Sequence, residues 1–347
     1  TAMLRYRRMM ALFEQHGVRP PDPHFSKWRD DPAIRREFIG GSDLAAIVGE
    51  NPMRSNLSVY REKVEPAWED DENEFMYWGR VLEREIVAGW ARDHSDLIVV
   101  PTPGFTWRHP DKPYLGASPD ALVFGDPRGV GVLEAKNVTI RLEHRWVGDC
   151  PDQNTVQGLH NAEVIGASWC AVVGLIGGND LRVYEFDHNP DLAAALHTRA
   201  AEFWDHVTRR EPPPAQLAHQ GTASDLAAIH TADDGLEKVL PADLIAKLDV
   251  RRQLAEVQSE AKQELEVIDN EFREALGDAT EGLDREGNTV VTWRPSRAFN
   301  PDLLDPAVRA EYTVEVVDGA RLRAEKRAVY EQAMKVPENP TRVLRRK

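Results

Sequence analysis

An α/β fold with a mixed sheet flanked by helices is predicted by three observations. The first is element order: a helical pattern, three strand-like runs, a helix, two more strand-like runs and a closing helix. The second is the apolar run Trp169 to Ile176, which reads as a strand buried on both faces. The third is Pro212-Pro213-Pro214, which stops the last helix and marks a change of composition.

In chain order, Ala2 to His16 reads as a helix, followed by a Pro-rich connector from Arg19 to Pro23. Ser42 is the expected N-cap of a short helix ended by Gly49. Two glycines before it and Arg35 and Arg36 upstream make that terminus a candidate anion site. Phe75 to Ala91 has helical spacing through Leu82, Ile86 and Trp90, with Glu83 beside the apolar stripe.

Strands are expected over 97–107, 115–124 and 130–138, then a helix from Asp152 to Ile165 offering Gln157 and His160. Trp169 to Ile176 and Leu181 to Phe186 give two more strands, and Pro190 to Arg209 the closing helix. Beyond the prolines, 215–233 reads as a linker over the surface. Pro241 to Leu276 reads as a long amphipathic helix, and Leu283 to Arg294 as a hairpin turning at Glu286-Gly287-Asn288. The expected domains are an N-terminal helix and connector (1–34), a core (35–212), a linker (213–233) and a C-terminal helix, β-hairpin and basic tail (234–347).

The chemistry centres on Tyr114 to Lys136. Gly125-Asp126-Pro127-Arg128-Gly129 is a cluster of turn formers between two apolar runs. A turn centred near Pro127 puts Asp120 and Glu134 opposite one another, about 4.5 to 5.5 Å apart. Two carboxylates could then share one cation. Strand alternation points Glu134 and Lys136 one way and Ala135 the other, into the core, leaving the Ala135 carbonyl as a further oxygen ligand. The same tripeptide recurs at Glu260-Ala261-Lys262, but there a helix splays side chains two apart by about 200°. The hairpin, not the tripeptide, carries the inference.

Composition sets the bounds. With 347 residues and 41% hydrophobic content the chain can bury one large core or two smaller ones. No apolar run approaches a membrane span and no signal-peptide pattern opens the chain, so a cytoplasmic location is the expectation. Cys150 and Cys170 are too few for a disulfide framework, a four-cysteine zinc site or an iron–sulfur cluster, and read as buried small hydrophobes. The net charge is −15, yet residues 1–40 carry +3 and 319–347 carry +6, leaving the middle at −24. Basic ends on an acidic body suit local attraction to DNA, and serve solubility equally.

Gly41-Ser42-Asp43, Trp78 to Glu83, Ala117-Ser118-Pro119-Asp120, Leu133 to Lys136 and the Gln157 helix stand in the order and spacing of a known family. Over about residues 35 to 210 the chain resembles the YqaJ-like viral recombinases, which are similar to bacteriophage lambda exonuclease within the PD-(D/E)xK nuclease superfamily. The resemblance implies a restriction-endonuclease-like core with a mixed central sheet. It assigns Asp120, Glu134 and the Ala135 carbonyl to two divalent ions, Mg²⁺ or Mn²⁺, with Glu83 supporting the second.

Lys136 would orient or deprotonate the attacking water, and Gln157 would position the lysine or the scissile strand. Arg35, Ser42 and Ser118 fit the family's 5′-phosphate pocket, and Arg141 fits its second arginine if one residue is gapped. Asn154 and Thr155 stand where family members often have tyrosines.

The implied activity is 5′-to-3′ digestion of double-stranded DNA ends inside a bacterial host cell, supplying single strands to an annealing protein, with a trimeric ring as one implied assembly. Alternatives are a Cas4-type or RecB-like helicase-associated nuclease, where four cysteines are usual, an endonuclease, or a DNA-end-binding scaffold without catalysis.

Overall fold

The computed structural model describes residues 2–21, 32–65, 74–102, 104–231 and 237–294. The basic tail and the last two residues of the Pro-rich connector, Asp22 and Pro23, lie outside them. Two compact units divide at residue 231.

In the first unit the helices are α1 (Ala2–Gln15), α2 (Pro32–Arg35), α3 (Gly41–Val48), α4 (Asn56–Val64), α5 (Glu74–Asp93), α6 (Asp152–Ile165), α7 (Pro190–Arg209) and α8 (Thr222–Ile229). The strands are β1 (Ile98–Pro101), β2 (Trp107–Arg108), β3 (Gly116–Ala117), β4 (Ala121–Phe124), β5 (Gly131–Val138), β6 (Trp169–Ile176) and β7 (Asp180–Asp187). A 3-10 helix, Ile140–Trp146, follows β5.

The central sheet has the order β1-β4-β5-β6-β7. All its neighbours are antiparallel except β5 and β6, which run parallel with α6 as their connection. This is the mixed α/β core that the element order predicts. Alternation along the strands splits the side chains between two helical layers. Leu122, Phe124, Val132, Cys170 and Val172 face the layer of α3, α6 and α7. Ala121, Val123, Leu133, Ala171 and Val173 face α5 through Ile86, Val87 and Trp90. Both cysteines are buried, as expected.

Close packing fixes α6 on β6. A Cβ on Gly158 would lie 2.2 Å from the Cys170 Sγ, so only glycine permits the approach. Gly166 ends the helix in the left-handed conformation, at φ 83°.

Two strand expectations need correction. The run 97–107 is not one strand: β1 ends at Pro101, and Trp107–Arg108 pairs instead with β3 in a separate two-stranded ribbon. The run 115–124 breaks likewise, β3 belonging to the ribbon and β4 to the main sheet. Local patterning cannot reveal this, because the break depends on which distant strand each half meets. Ser42 is not the N-cap of α3 either. Gly40 holds that position, and the Asp43 carboxylate, at N3, accepts its backbone N–H at 3.2 Å. Gly49 closes α3 as predicted, at φ 93°.

The segment read as a linker carries α8 and is tied down. Asp225 accepts the Ser55 hydroxyl at 2.6 Å, and Gln216 Nε2 donates to the Ala46 and Ile47 carbonyls.

The second unit holds α9 (Ala242–Leu276), β8 (Glu281–Leu283) and β9 (Thr289–Thr292), the last two an antiparallel hairpin. Its turn is built by Asp284, whose Oδ1 accepts the Glu286 and Asn288 N–H groups, with Gly287 at φ 87°. The second Glu-Ala-Lys lies within α9, exposed.

Candidate active site

The predicted turn sets the register. Ala121 pairs with Leu133, Leu122 with Val132 and Val123 with Gly131. Extending that pairing by one residue sets Asp120 opposite Glu134, and Asp120 N donates to the Leu133 carbonyl at 3.1 Å. At that point the Asp120 carboxylate takes over from the strand: its Oδ2 accepts the Ala135 N–H at 2.7 Å. Ala135 packs toward the α5 layer, leaving Glu134 and Lys136 on the other face.

Glu134 is 1% exposed, which no carboxylate tolerates without partners. Three donors serve it. Gln157 Nε2 and Lys136 Nζ reach Oε2 at 2.7 and 3.2 Å, and Asn161 Nδ2 reaches Oε1. Gln157 and Asn161 are one helical turn apart on α6, so a single face delivers both. Sequence reasoning missed Asn161. The signal was present, since a second amide four residues after Gln157 shares its face.

The electrostatics follow from crowding acids in a dry place. Burial first, then the Glu134 charge and also Glu83, push Asp120 well above the usual carboxylate range, against the pull of Lys136. Burial likewise raises Glu134. For Lys136 burial works downward, but the charges of Glu134, Asp120 and Glu83 outweigh it and hold the ammonium form. Glu83, on α5, thus lies near enough to act on all three. The donor set is carboxylate and carbonyl oxygen, the chemistry hard divalent cations require, and a cation would relieve the repulsion that raises both pKa values. The residues therefore fit the ions that the resemblance implies.

Of the predicted phosphate-pocket residues, the structure draws together the segments of two. Ile39 N donates to the Tyr114 carbonyl at 2.7 Å and Gly116 N to the Ile39 carbonyl at 3.0 Å, so the chain entering α3 lies alongside the chain leading to Ser118. Ser42 is exposed, next to Gly41, whose added Cβ would meet Gln157 Cγ at 2.8 Å. Ser118 Oγ lies 3.1 Å from Thr106 Oγ1. Arg35 ends α2 and pairs loosely with Glu62 at 3.8 Å. Arg141 is exposed on the 3-10 helix, and no described contact joins it to Arg35, Ser42 or Ser118.

A network that sequence reasoning did not find supports this corner. Buried Asp43 receives Lys63 Nζ at 2.8 Å and Arg54 Nη1 at 2.9 Å, and Lys63 also donates to the Arg35 carbonyl at 2.7 Å. Burial opposes ionisation of Asp43, but Lys63, Arg54 and Arg35 outweigh it and hold its pKa well below the usual range. Beside Lys136 a cleft of 550 Å³ opens, walled by Trp78, Leu82, Trp146 and Asn154 among others.

Residues 30–168 match the model of the YqaJ-like viral recombinase domain, in agreement with the resemblance read from the motifs. The chain is similar to the uncharacterized protein YqaJ of Bacillus subtilis (strain 168), 26% identical over 273 residues that cover 75% of this chain and 81% of that one. Among solved structures it is similar to an alkaline exonuclease (LHK-Exo) from Laribacter hongkongensis, with 20% identity, a TM-score of 0.44, and 52% of this chain and 93% of that chain covered. A phage related exonuclease from Haemophilus somnus 129PT gives 8% identity, a TM-score of 0.38 and coverage of 50% and 96%. No helix of the described residues is long and apolar enough to cross a membrane.

Proposed function

We propose that the chain is a metal-dependent exodeoxyribonuclease that digests double-stranded DNA from its ends in the 5′-to-3′ direction, within annealing-type recombination. The observation that carries this reading is the register of β4 and β5, which sets Asp120 opposite Glu134 with Lys136 and Gln157 on the same carboxylate.

Asp120, Glu134 and the Ala135 carbonyl would hold two Mg²⁺ or Mn²⁺ ions, with Glu83 completing the second position. Bound there, such ions neutralise the phosphodiester's charge and lower the pKa of an attacking water. The protein's own contribution is orientation. Gln157 and Asn161 lock the Glu134 carboxylate in one rotamer, and Asp120 is fixed by the Ala135 N–H. Lys136, held as an ammonium, is suited to orienting the nucleophile and stabilising developing negative charge rather than to removing a proton.

Arg35, Ser42, Ser118 and Arg141 would receive the terminal 5′-phosphate, aided by the N-terminus of α3. The cleft beside Lys136 has the size and aromatic walls to take a nucleobase of the scissile strand. The liberated single strand would pass to an annealing protein, and a homo-oligomeric ring would keep the enzyme on its substrate.

Linear duplex incubated with Mg²⁺ tests the reading. Nucleotide release that stops with EDTA and with Lys136→Ala is expected; no release, or release indifferent to both, sinks it. Equal rates on 5′-phosphorylated and 5′-hydroxyl ends would remove Arg35, Ser42, Ser118 and Arg141 from the pocket.

A further inference from the structure

α6 carries a second cluster on the side away from Glu134. Glu163 projects roughly 140° around the helix from the Gln157–Asn161 face. There it meets His109, from the loop after β2, and His197, from α7. One ligand-capable atom from each of the three lies within 4.8 Å of the others. His188, just before α7, brings Nε2 to 2.7 Å from Glu163 Oε2. That contact lacks hydrogen-bond geometry, so a buried imidazole nitrogen has no hydrogen-bond partner among the described residues.

Hydrogen bonding fixes which nitrogens bear protons. His160 Nε2 sits 2.9 Å from the Gly116 carbonyl, which only accepts, so Nε2 holds the proton. His160 is buried and its Nε2 proton is committed to Gly116, so its Nδ1 is the acceptor of the ring. The 3.1 Å contact between His160 Nδ1 and His197 Nε2 therefore makes His197 the donor. Its Nδ1 is left with a free lone pair. A histidine whose other nitrogen donates to a buried partner is the usual arrangement of a metal ligand.

We propose that His197 Nδ1, Glu163 and His109, with His188 beside them, form a metal site separate from the carboxylate site, and that it takes a borderline divalent ion of the zinc class. Imidazole nitrogens with one carboxylate suit zinc, whereas the all-oxygen set at Asp120 and Glu134 suits magnesium.

His109 must adjust. Its Nδ1 accepts the Asp111 and Lys112 N–H groups at 3.2 Å each, at the long end of the hydrogen-bond range, so ligation through Nε2 moves or expels the proton held there. The site is reachable, because the side chains of Glu163 and His188 retain 31% and 18% exposure. An ion there would tie the 109 loop to α6 and α7. Through His160 and Gly116 it would also steady the chain leading to Ser118 and Asp120.

Co²⁺ titration of a protein carrying Asp120→Asn and Glu134→Gln tests this without reference to nuclease activity, so it succeeds or fails independently of the functional reading above. One equivalent of Co²⁺ is expected to bind with the strong visible absorption of a four-coordinate ion, to be displaced by Zn²⁺ and to ignore excess Mg²⁺. Glu163→Gln and His109→Asn, both at half-buried positions, are each expected to weaken binding at least tenfold, with circular dichroism confirming the fold. His144→Asn, at an exposed histidine outside the cluster, leaves binding unchanged. No bound Co²⁺ in the double variant, or a spectrum indifferent to Glu163→Gln and His109→Asn, overturns the proposal.

Discussion

Asn161→Ala tests the site through a residue that touches neither metal nor DNA in the proposed arrangement. Asn161 is 1% exposed and its Nδ2 donates to Glu134 Oε1, while Oε2 is served separately by Gln157 and Lys136. Truncation strips one buried carboxylate oxygen of its protein donor. A hydrogen bond to a charged group contributes about 1.5–3 kcal/mol, which converts to roughly 10- to 150-fold in an equilibrium constant.

Two quantities should move together. Urea denaturation in EDTA should show a loss of about 2 kcal/mol. Digestion of linear duplex across a Mg²⁺ series should need about 10- to 100-fold more Mg²⁺ for half-maximal rate, because a less firmly held carboxylate is a poorer ligand. Gln157→Ala should act in the same direction. An Asn161→Ala protein with parental stability and parental Mg²⁺ dependence would refute the idea that α6 positions Glu134.

Asp120→Asn should abolish digestion yet raise the thermal midpoint in EDTA. The raised pKa means that the Asp120 contribution to stability is fullest below the ordinary carboxylate range and is lost as pH rises through the raised value, so at neutral pH the charge is a liability. Relief of about 1 kcal/mol corresponds to roughly 2–4 °C, and a fall in the midpoint would contradict it. His160 gives the opposite dependence. Held at about 4 when folded against an ordinary value near 6.5, it makes stability fall as pH drops from about 6.5 toward 4, by about 2 kcal/mol at pH 5. Urea midpoints at pH 7 and 5 for the parent and His160→Gln check this, an equal slope in both counting against it. Gly158→Ala should cost about 1–3 kcal/mol by overpacking α6 against Cys170, and an unchanged urea midpoint would argue against that contact.

Much of this was legible where the cause is local. The Gly125 to Gly129 turn set the register that opposes Asp120 and Glu134. Pro190 after the Asn189 cap, and Gly166 after Ile165, set the limits of α7 and α6. The hidden parts depend on distant partners. Residues 104–106 and 118–119 leave the main sheet because Trp107–Arg108 and Gly116–Ala117 find each other. Asp43 looked like a helix residue, and only folding brings Arg54 and Lys63 to its two oxygens. α8 hid in a segment of weak pattern, anchored by the Asp225 contact with Ser55 across a long sequence separation.

α6 has no silent side. Gln157 and Asn161 grip Glu134, Gly158 admits Cys170, and His160 holds Gly116. Glu163 meets His188, and within the helix Asp152 alone is exposed. A scan of all single substitutions should therefore find this helix the least permissive stretch of the described chain. α9, none of whose residues is buried, should accept most exchanges that keep it helical. Sequence drift in this protein is expected to concentrate at its C-terminal unit while fourteen residues in the middle stay nearly fixed.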